Sequence, residues 1–130
     1  MIYLVEDDSS IRELVIYALN STGLEAKGFE KPSEFWKAVE EEEPSLVILD
    51  VMLPEESGID VLKKIRSNPA IEKLPVIMET AKTSEYDRIN GLESGADDYI
   101  SKPFSMMEMV ARVKALIRRS EYKHEEKEIG

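Results

Sequence analysis

Polar side chains able to bind a cation or a phosphate group follow four short apolar runs of this sequence. In chain order they are Glu6, Asp7, Asp8, Asp50, Thr80 and Lys102. Carboxylates that converge repel one another unless a hard divalent cation neutralises them, and Mg²⁺ prefers one or two carboxylates together with waters and phosphate oxygens. Lysine and threonine suit the remaining phosphoryl oxygens. These residue types therefore indicate a magnesium-assisted phosphoryl site in which one carboxylate is the nucleophile.

Hydrophobic periodicity predicts the elements that bring these side chains together. Apolar runs at 2–5, 24–29, 46–49, 75–78 and 97–101 predict strands, and helical spacing predicts helices at about 9–22, 31–43, 59–67, 84–94 and 104–119. Ser9 and Ser10 are the expected caps of the first helix. This alternation predicts an α/β fold, a flavodoxin-like, doubly wound five-stranded parallel sheet of order 2-1-3-4-5 with five helices. Ligands of such sheets bind outside the carboxyl ends of the strands, where the polar set stands.

The composition excludes several classes of function. A chain of 130 residues is most simply one domain, and a formal charge of −10 argues against binding nucleic acid through its own surface. The absence of cysteine excludes thiol nucleophiles and Cys-based metal sites. The single histidine, His124, stands in a charged tail and offers no Ser-His-Asp triad. No apolar run is as long as a membrane span, and a strand-like run follows Met1 directly, so the expected location is the cytoplasm.

Longer motifs around the polar set resemble the receiver domain of bacterial two-component response regulators. The matching segments are Leu4-Val5-Glu6-Asp7-Asp8, Leu49-Asp50-Val51-Met52-Leu53-Pro54 with Gly58, Thr80-Ala81-Lys82, Gly95-Ala96-Asp97-Asp98-Tyr99-Ile100 and Lys102-Pro103-Phe104. The resemblance implies a receiver domain of a phosphorelay over residues 1–119. Residues 120–130 would then be a charged tail, which is the final turns of the last helix, the start of a linker to a DNA-binding domain that is absent here, or both.

The resemblance implies that Asp50 accepts a phosphoryl group from the phosphohistidine of a sensor histidine kinase. The product would be an acyl phosphate, and the domain would catalyse only its own phosphorylation and dephosphorylation, so we do not expect an enzyme. Mg²⁺ would be held by Asp7, Asp50 and the backbone carbonyl of Met52, with Glu6 reaching it through water.

The resemblance also gives roles to three residues beyond the metal ligands. Lys102 would pair with the phosphoryl oxygens, and the peptide bond before Pro103 would be cis. Thr80 would turn inward to donate a hydrogen bond to the phosphate, and Tyr99 would change rotamer with it. A dianionic group on Asp50 would in this way bias a two-state surface.

The last strand and helix resemble those of the OmpR/PhoB-type transcription factors, in which the fourth helix, fifth strand and fifth helix form a two-fold dimer face. We therefore expect a homodimer on phosphorylation that controls transcription, with DNA bound only through the absent C-terminal domain. The expected face comprises Arg88, Leu92, Asp97, Asp98, Glu108, Ala111, Arg112 and Arg119. Self-complementary mixed charge suits a two-fold interface. Alternatively, the same charges form i,i+4 pairs on solvated helices.

Glu79 departs from the family pattern, because the residue before the switch threonine is usually apolar. It interrupts the predicted strand at 75–78, which Thr80 closes. A carboxylate in a central strand costs several kcal/mol unless it is paired or protonated. Three interpretations remain open: Glu79 reaches the rim of the site, pairs with a lysine such as Lys82, or was introduced deliberately.

Other classes of function fit the sequence less well. A stand-alone, chemotaxis-type receiver that binds a partner without dimerising is the nearest alternative. A phosphatase of the haloacid dehalogenase type needs a second aspartate two residues after the nucleophile as its proton donor, and that position is Met52. A flavin-binding module fits least, because no phosphate loop rich in Ser, Thr or Gly follows the first strand.

Overall fold

Five parallel strands form one sheet in the computed structural model, which describes residues 1–81, 89 and 95–129, with the backbone alone for 122–129. The strands are β1 (Ile2–Val5), β2 (Ala26–Phe29), β3 (Leu46–Asp50), β4 (Val76–Ala81) and β5 (Asp98–Lys102). Their order is β2-β1-β3-β4-β5, and each neighbouring pair is parallel. The predicted flavodoxin-like topology is therefore confirmed.

Helices cover both faces of this sheet. Those described are α1 (Ser9–Ser21), α2 (Pro32–Glu41), α3 (Gly58–Ser67) and α4 (Met106–Ile129). The helix predicted at 84–94 lies, apart from residue 89, outside the described residues. Among the helices described, none combines the length and the apolar character that crossing a membrane requires.

The helix termini differ from the predicted ones because particular side chains cap them. Asp8 caps α1, since its Oδ1 accepts the N–H of Ile11 at 3.1 Å, so the predicted caps Ser9 and Ser10 lie inside the first turn instead. Ser105 Oγ accepts the N–H of Glu108 at 3.0 Å, and α4 accordingly begins at Met106 and not at residue 104. The helix runs on to Ile129, through the segment predicted as a tail.

Two strands also differ from their predicted extents. The N–H of Leu24 bonds to the carbonyl of Leu19 at 3.0 Å in the turn that ends α1, so β2 starts at Ala26. β4 continues through Glu79 to Ala81, because ladder hydrogen bonds to its neighbours are kept across the charged residue. Backbone pairing, and not side-chain polarity, therefore sets the length of β4.

The core has two layers, one on each face of the sheet. Leu4, Ile48 and Ile77 pack with α1 and α4, whereas Val5, Leu49 and Met78 pack with α2 and α3. Because side chains alternate along a strand, the polar residues at the strand ends continue one face or the other. Glu6, Asp50, Glu79 and Lys102 continue the α1/α4 face, and Thr80 continues the α2/α3 face.

Candidate functional site

The predicted polar set meets at the carboxyl edge of the sheet. Glu6 directly follows β1, Asp50 is the last residue of β3, and Lys102 is the last residue of β5. Thr80 is the second-to-last residue of β4 and directly follows Glu79, the register partner of Asp50. The strand order places β3 beside both β1 and β4, so all these residues share one edge.

Lys102 connects the acidic residues of two strands. Its Nζ lies 2.7 Å from Asp50 Oδ2 and 2.7 Å from Glu6 Oε1. The Lys102–Pro103 peptide bond is cis, as the family resemblance implied. This ammonium lies between the carboxylates at the ends of β1 and β3. It is therefore positioned to bond to a new group that takes the place of one of those oxygens.

The carboxyl group of Asp50 is held in one orientation and is almost closed off from solvent. Asp50 is 5% exposed, and its Oδ1 accepts the N–H of Met52 at 3.0 Å while Oδ2 faces Lys102. Gly58, at the start of α3, packs so closely on this turn that a Cβ there would collide with the carbonyl oxygen of Asp50. Only glycine therefore allows α3 to begin at this position.

Three carboxylates converge where a cation would bind. Glu6, Asp7 and Asp50 each place an oxygen within 4.8 Å of the others. Glu6 and Asp50 are buried and Asp7 is exposed, so the cluster opens toward solvent on the Asp7 side. Hard oxygen donors with an open side fit Mg²⁺, which keeps several waters when it binds to proteins.

The electrostatics of the site reflect this crowding. Burial, reinforced by the neighbouring Asp50, raises the pKa of Glu6 to about 7, against the opposing effect of Lys102. Burial disfavours the charged form of Lys102, but its hydrogen bonds to Asp50 and Glu6 outweigh that effect and raise its pKa above the ordinary value. The Lys102 ammonium is therefore held in its charged form, whereas burial beside Asp50 favours the protonated form of the Glu6 carboxyl group.

Glu79 and Thr80 lie at this edge, buried and without a hydrogen-bond partner in the part of the chain that the structure describes. Glu79 is 0% exposed and Thr80 is 1% exposed. Neither carboxylate oxygen of Glu79, nor Thr80 Oγ1, has a hydrogen-bond partner among the residues that the structure describes. Burial, followed by the charge of Glu6, raises the pKa of Glu79 well above its ordinary value. Complete burial contradicts the interpretation that Glu79 reaches the rim, and Lys82 lies outside the described residues.

Tyr99 lies on β5, in register with Met78, and is buried in the layer of α2 and α3. It therefore belongs to the same sheet face as Thr80. Its predicted change of rotamer stays a prediction.

The residues predicted as a dimer face make ion pairs within the chain. Arg112 lies 2.9 Å from Asp98 Oδ1 and 3.2 Å from Glu108 Oε1. Arg66 takes Asp97 Oδ2 at 2.9 Å. The i,i+4 alternative thus describes the Arg112–Glu108 pair in this chain. Ala111 and Arg119 are exposed, whereas Arg88 and Leu92 lie outside the described residues.

Sequence patterns do not single out two arginines that the structure places in long-range contacts. Arg66 also donates to the carbonyl oxygens of Gly95 at 2.9 Å and Leu74 at 2.7 Å. Arg12 donates from Nη1 to the carbonyl oxygen of Glu6 at 2.7 Å. Both bond to backbone carbonyls, and a backbone acceptor leaves no signal in the types or spacing of side chains.

The fold and the site together define a doubly wound α/β domain with an acidic, lysine-bridged pocket at the carboxyl edge of its sheet. Residues 2–114 match the family described as response regulator receiver domain. The chain belongs to this family.

Relatives and solved structures agree with this assignment. The chain is 48% identical over 121 residues to the transcriptional regulatory protein GltR of Pseudomonas aeruginosa, covering 93% of this chain and 50% of GltR. It is 46% identical over 120 residues to the alkaline phosphatase synthesis transcriptional regulatory protein PhoP of Bacillus subtilis, covering 92% and 49%. It is 44% identical over 118 residues to the phosphate regulon transcriptional regulatory protein PhoB of Escherichia coli, covering 91% and 52%. The resemblance to PhoB-type regulators is confirmed, and the chain spans about half the length of these relatives.

Among solved structures, the receiver domain of the Francisella response regulator 1452 superposes with a TM-score of 0.83 at 29% identity, covering 92% of this chain and 97% of that one. NtrX of Brucella abortus superposes with a TM-score of 0.92 at 26% identity, covering 99% of this chain and 29% of NtrX.

Proposed function

We propose that this chain is the phosphoacceptor domain of a cytoplasmic, transcription-controlling response regulator, with Asp50 as the residue phosphorylated by a sensor histidine kinase. The main observation in support of the proposal is the fixed orientation of the Asp50 carboxyl group. One oxygen is fixed by the N–H of Met52 at 3.0 Å and the other faces the Lys102 ammonium at 2.7 Å, so the nucleophile is oriented before any donor arrives.

The chemistry requires one bond to form and one to break. A carboxylate oxygen of Asp50 attacks the phosphorus of the phosphohistidine, the P–N bond breaks, and the imidazole nitrogen leaves with the electron pair and takes up a proton. Asp7, Asp50 and the backbone carbonyl of Met52 are the groups that would hold Mg²⁺, with Glu6 reaching it through water. Bound there, the cation supplies charge neutralisation for the phosphoryl oxygens.

Lys102 and Thr80 complete the reaction on the protein side. Lys102 is already beside Asp50, so it can transfer its hydrogen bond from the carboxylate to a phosphoryl oxygen without a large movement. Thr80 has a buried hydroxyl with no acceptor among the described side chains and backbone groups, and a phosphoryl oxygen would supply one. That new hydrogen bond is the step by which phosphorylation would reach Tyr99 and the surface beyond it.

The reaction is proposed to end on the chain's own aspartate. A phosphatase of the haloacid dehalogenase type would need an acidic side chain two residues after Asp50. Met52 occupies that position and contributes its backbone N–H to the site, while its side chain is exposed. The position from which such a phosphatase donates its proton therefore offers no acidic side chain in this chain.

An apolar groove beside the site supports a protein partner as the phosphoryl donor. It has a volume of about 400 Å³ and runs between α1 and the segment after β5, with Lys102 at its edge. Its apolar lining comes from Ile11, Leu14, Pro103, Phe104 and Met106. Leu14 is 55% exposed. Because a phosphohistidine must approach Asp50 directly, a kinase surface that reaches the acceptor would cover this groove.

The output proposed is a homodimer on phosphorylation, with DNA bound by a domain outside this chain. Arg112 pairs with both Asp98 and Glu108 in the single chain. A two-fold interface could exchange these pairs for equivalent ones between two copies. Sedimentation of phosphorylated protein at increasing concentration separates this from the chemotaxis-type alternative: a dimer is expected, and a monomer at all concentrations would favour the alternative.

The experiment that tests the acceptor is intact mass measurement after incubation with a small-molecule phosphodonor, with and without Mg²⁺. A single phosphoryl adduct is expected, dependent on Mg²⁺ and lost in Asp50→Asn. Asp60→Asn is the matched control, since Asp60 lies in the first turn of α3 outside the acidic cluster, and it should be phosphorylated normally. No adduct on the folded, Mg²⁺-loaded chain would contradict the proposal.

A further inference from the structure

Arg12 fixes the backbone at the start of the acidic loop that follows β1. Its Nη1 donates to the carbonyl oxygen of Glu6 at 2.7 Å, and the N–H of Glu6 bonds to the carbonyl oxygen of Phe29 at 3.0 Å. Both backbone polar groups of Glu6 are therefore occupied, one by β2 and the other by Arg12. The peptide that carries this carbonyl joins Glu6 to Asp7, two of the three carboxylates in the cluster.

A glycine in β2 makes room for the Arg12 side chain to reach that carbonyl. A Cβ at Gly28 would lie 2.8 Å from Arg12 Cγ and 3.0 Å from Arg12 Cδ. Gly28 sits in the regular ladder of β2, in register with Leu4, so its place is not explained by an unusual backbone angle. The space above Gly28 is taken by the stem of Arg12.

A guanidinium is an unfavourable neighbour for a cation site on electrostatic grounds alone. Its positive charge repels a divalent cation, so an arginine with no other effect would weaken metal binding. The hydrogen bond gives the opposite contribution, because a fixed Glu6–Asp7 peptide restricts the directions in which the two carboxylates can point. Groups that orient metal ligands from outside the ligand set commonly change affinity by about ten- to a hundredfold.

We propose that Arg12 is a positioning residue for the cation site: through the carbonyl of Glu6 it holds the Glu6–Asp7 peptide so that the carboxylates converge. This inference rests on the proposed function, since it concerns the Mg²⁺ that the phosphoryl transfer would use. It assigns Arg12 no contact with the cation or the phosphoryl group. It also gives Gly28 a function, as the residue whose missing side chain leaves the path open.

The charge of Arg12 and its hydrogen bond predict opposite changes in Mg²⁺ affinity when the arginine is replaced, so a binding measurement distinguishes them. Mg²⁺ alone is titrated into the full chain, and its dissociation constant is measured from amide chemical shifts of residues at the site. Arg12→Met removes a repelling charge, yet we expect it to weaken Mg²⁺ binding by about tenfold. Arg12→Lys keeps the charge but shortens the reach and loses the planar fork, so weaker binding is expected there too.

Gly28→Ala provides the second arm, because it displaces the stem of Arg12 while the number of charges on the chain stays the same. Weaker Mg²⁺ binding in this variant supports positioning and cannot come from the loss of a charge. Lys37→Met is the matched control for charge, since Lys37 is exposed on α2 and away from the cluster, and its Mg²⁺ affinity should stay within about twofold. The melting temperature without Mg²⁺ is measured for each variant, so that a loss of affinity is read only on folded protein.

Three results would overturn the inference. Equal or tighter Mg²⁺ binding by folded Arg12→Met shows that the arginine does not strengthen the cation site by positioning its carboxylates, and unchanged binding by folded Gly28→Ala shows that its position is immaterial. If Arg12→Met does not fold, Arg12→Lys and Gly28→Ala decide the question in the same way. Failure of the unchanged chain to bind Mg²⁺ would instead contradict the proposed function, on which this inference depends.

Discussion

The two halves of the polar edge differ in how their buried groups are satisfied. At the ends of β1 and β3, Glu6 and Asp50 each meet Lys102, and Asp50 also accepts the N–H of Met52. At the end of β4, Glu79 and Thr80 are buried just as deeply but have no hydrogen-bond partner within the part of the chain described. The first half is organised before any ligand arrives, whereas the second half is left incomplete.

This difference has an energetic meaning. A buried polar atom without a partner costs roughly 1–3 kcal/mol, and a pair of buried carboxylates is tolerated only with a nearby cation. The β1/β3 half therefore depends on Lys102, and the β4 half lowers the stability of the resting protein. For Thr80, that cost is recovered if a phosphoryl oxygen arrives as an acceptor, which makes the incomplete half a source of switching energy.

The largest effect is expected from removing the ammonium group of Lys102, on which the β1/β3 half depends. Lys102→Met leaves Glu6 and Asp50 facing each other, and we expect the free energy of unfolding without Mg²⁺ to fall by about 3 kcal/mol, near the lower limit for a broken buried pair because Lys102 is 26% exposed. Chemical denaturation measures this loss. Added Mg²⁺ should restore much of it, since it supplies the missing positive charge.

The matched control for that loss is an exposed pair elsewhere. Lys64 lies 3.0 Å from Glu56, and its side chain is 62% exposed. Lys64→Met should change the free energy of unfolding by less than about 1 kcal/mol. Equal losses in the two variants would show that Lys102 contributes no more than a surface lysine.

The second-largest expected effect is a gain in the free energy of unfolding, and it concerns the β4 half. Glu79→Leu replaces a buried carboxyl, which has no hydrogen-bond partner among the described residues, by an apolar side chain, so the free energy of unfolding should rise by about 1–3 kcal/mol. Glu79→Gln is the control for shape, and it should gain less because an amide at this position also lacks partners. A melting temperature that is unchanged or lower in Glu79→Leu would mean that the carboxyl group is well compensated.

The same comparison shows what could be predicted from sequence. The strand order and the meeting of Asp50 with Lys102 follow from periodicity and from the rule that parallel strands end at one edge. The polarity of Glu79 suggested an interrupted strand, yet the ladder runs through it, because backbone hydrogen bonds to both neighbouring strands outweigh one unfavourable side chain. Periodicity shows where a strand lies but not which buried groups find partners.

Other differences arise from contacts between residues that are distant in sequence. Asp97 pairs with Arg66, 31 positions away, and its carboxylate also accepts the N–H of Val76 at 2.8 Å. A prediction based on charge along the last helix could not include that partner. The extension of α4 is different, because it matches one of the alternatives that the sequence left open: residues 120–129 are rich in glutamate and lysine, which favour helices.

The third effect is a dependence of stability on pH in the absence of Mg²⁺. Folding raises the pKa of Glu6 to about 7, mainly through burial, and raises that of Glu79 as well. A group whose pKa rises on folding stabilises the folded state below its unfolded value, and this contribution is lost as the pH rises through the folded value. The melting temperature should therefore increase by several degrees when the pH is lowered from 8 to about 5.5.

Glu79→Leu separates the two contributions to that slope. It removes the Glu79 part and keeps the Glu6 part, so its melting temperature should depend less steeply on pH over the same range. A melting temperature of the unchanged chain that is constant or falls on acidification would show that neither carboxyl group binds a proton more tightly in the folded state.

The smallest effect tests whether the incomplete half is built for a ligand. Thr80→Val keeps the shape of the side chain and removes a hydroxyl that has no hydrogen-bond partner among residues 1–81, 89 and 95–129, so the resting protein should gain up to about 1 kcal/mol in free energy of unfolding. Thr22→Val is the control, because the Thr22 hydroxyl donates to the carbonyl oxygen of Leu19 at 2.8 Å and its removal should cost a similar amount. After phosphorylation the relative stability of the two proteins should change. The unchanged chain gains a hydrogen bond from Thr80 to the phosphoryl group, and Thr80→Val does not. We therefore expect phosphorylation to raise the melting temperature of the unchanged chain by more than that of Thr80→Val, and equal increases would show that Thr80 does not bind the phosphoryl group.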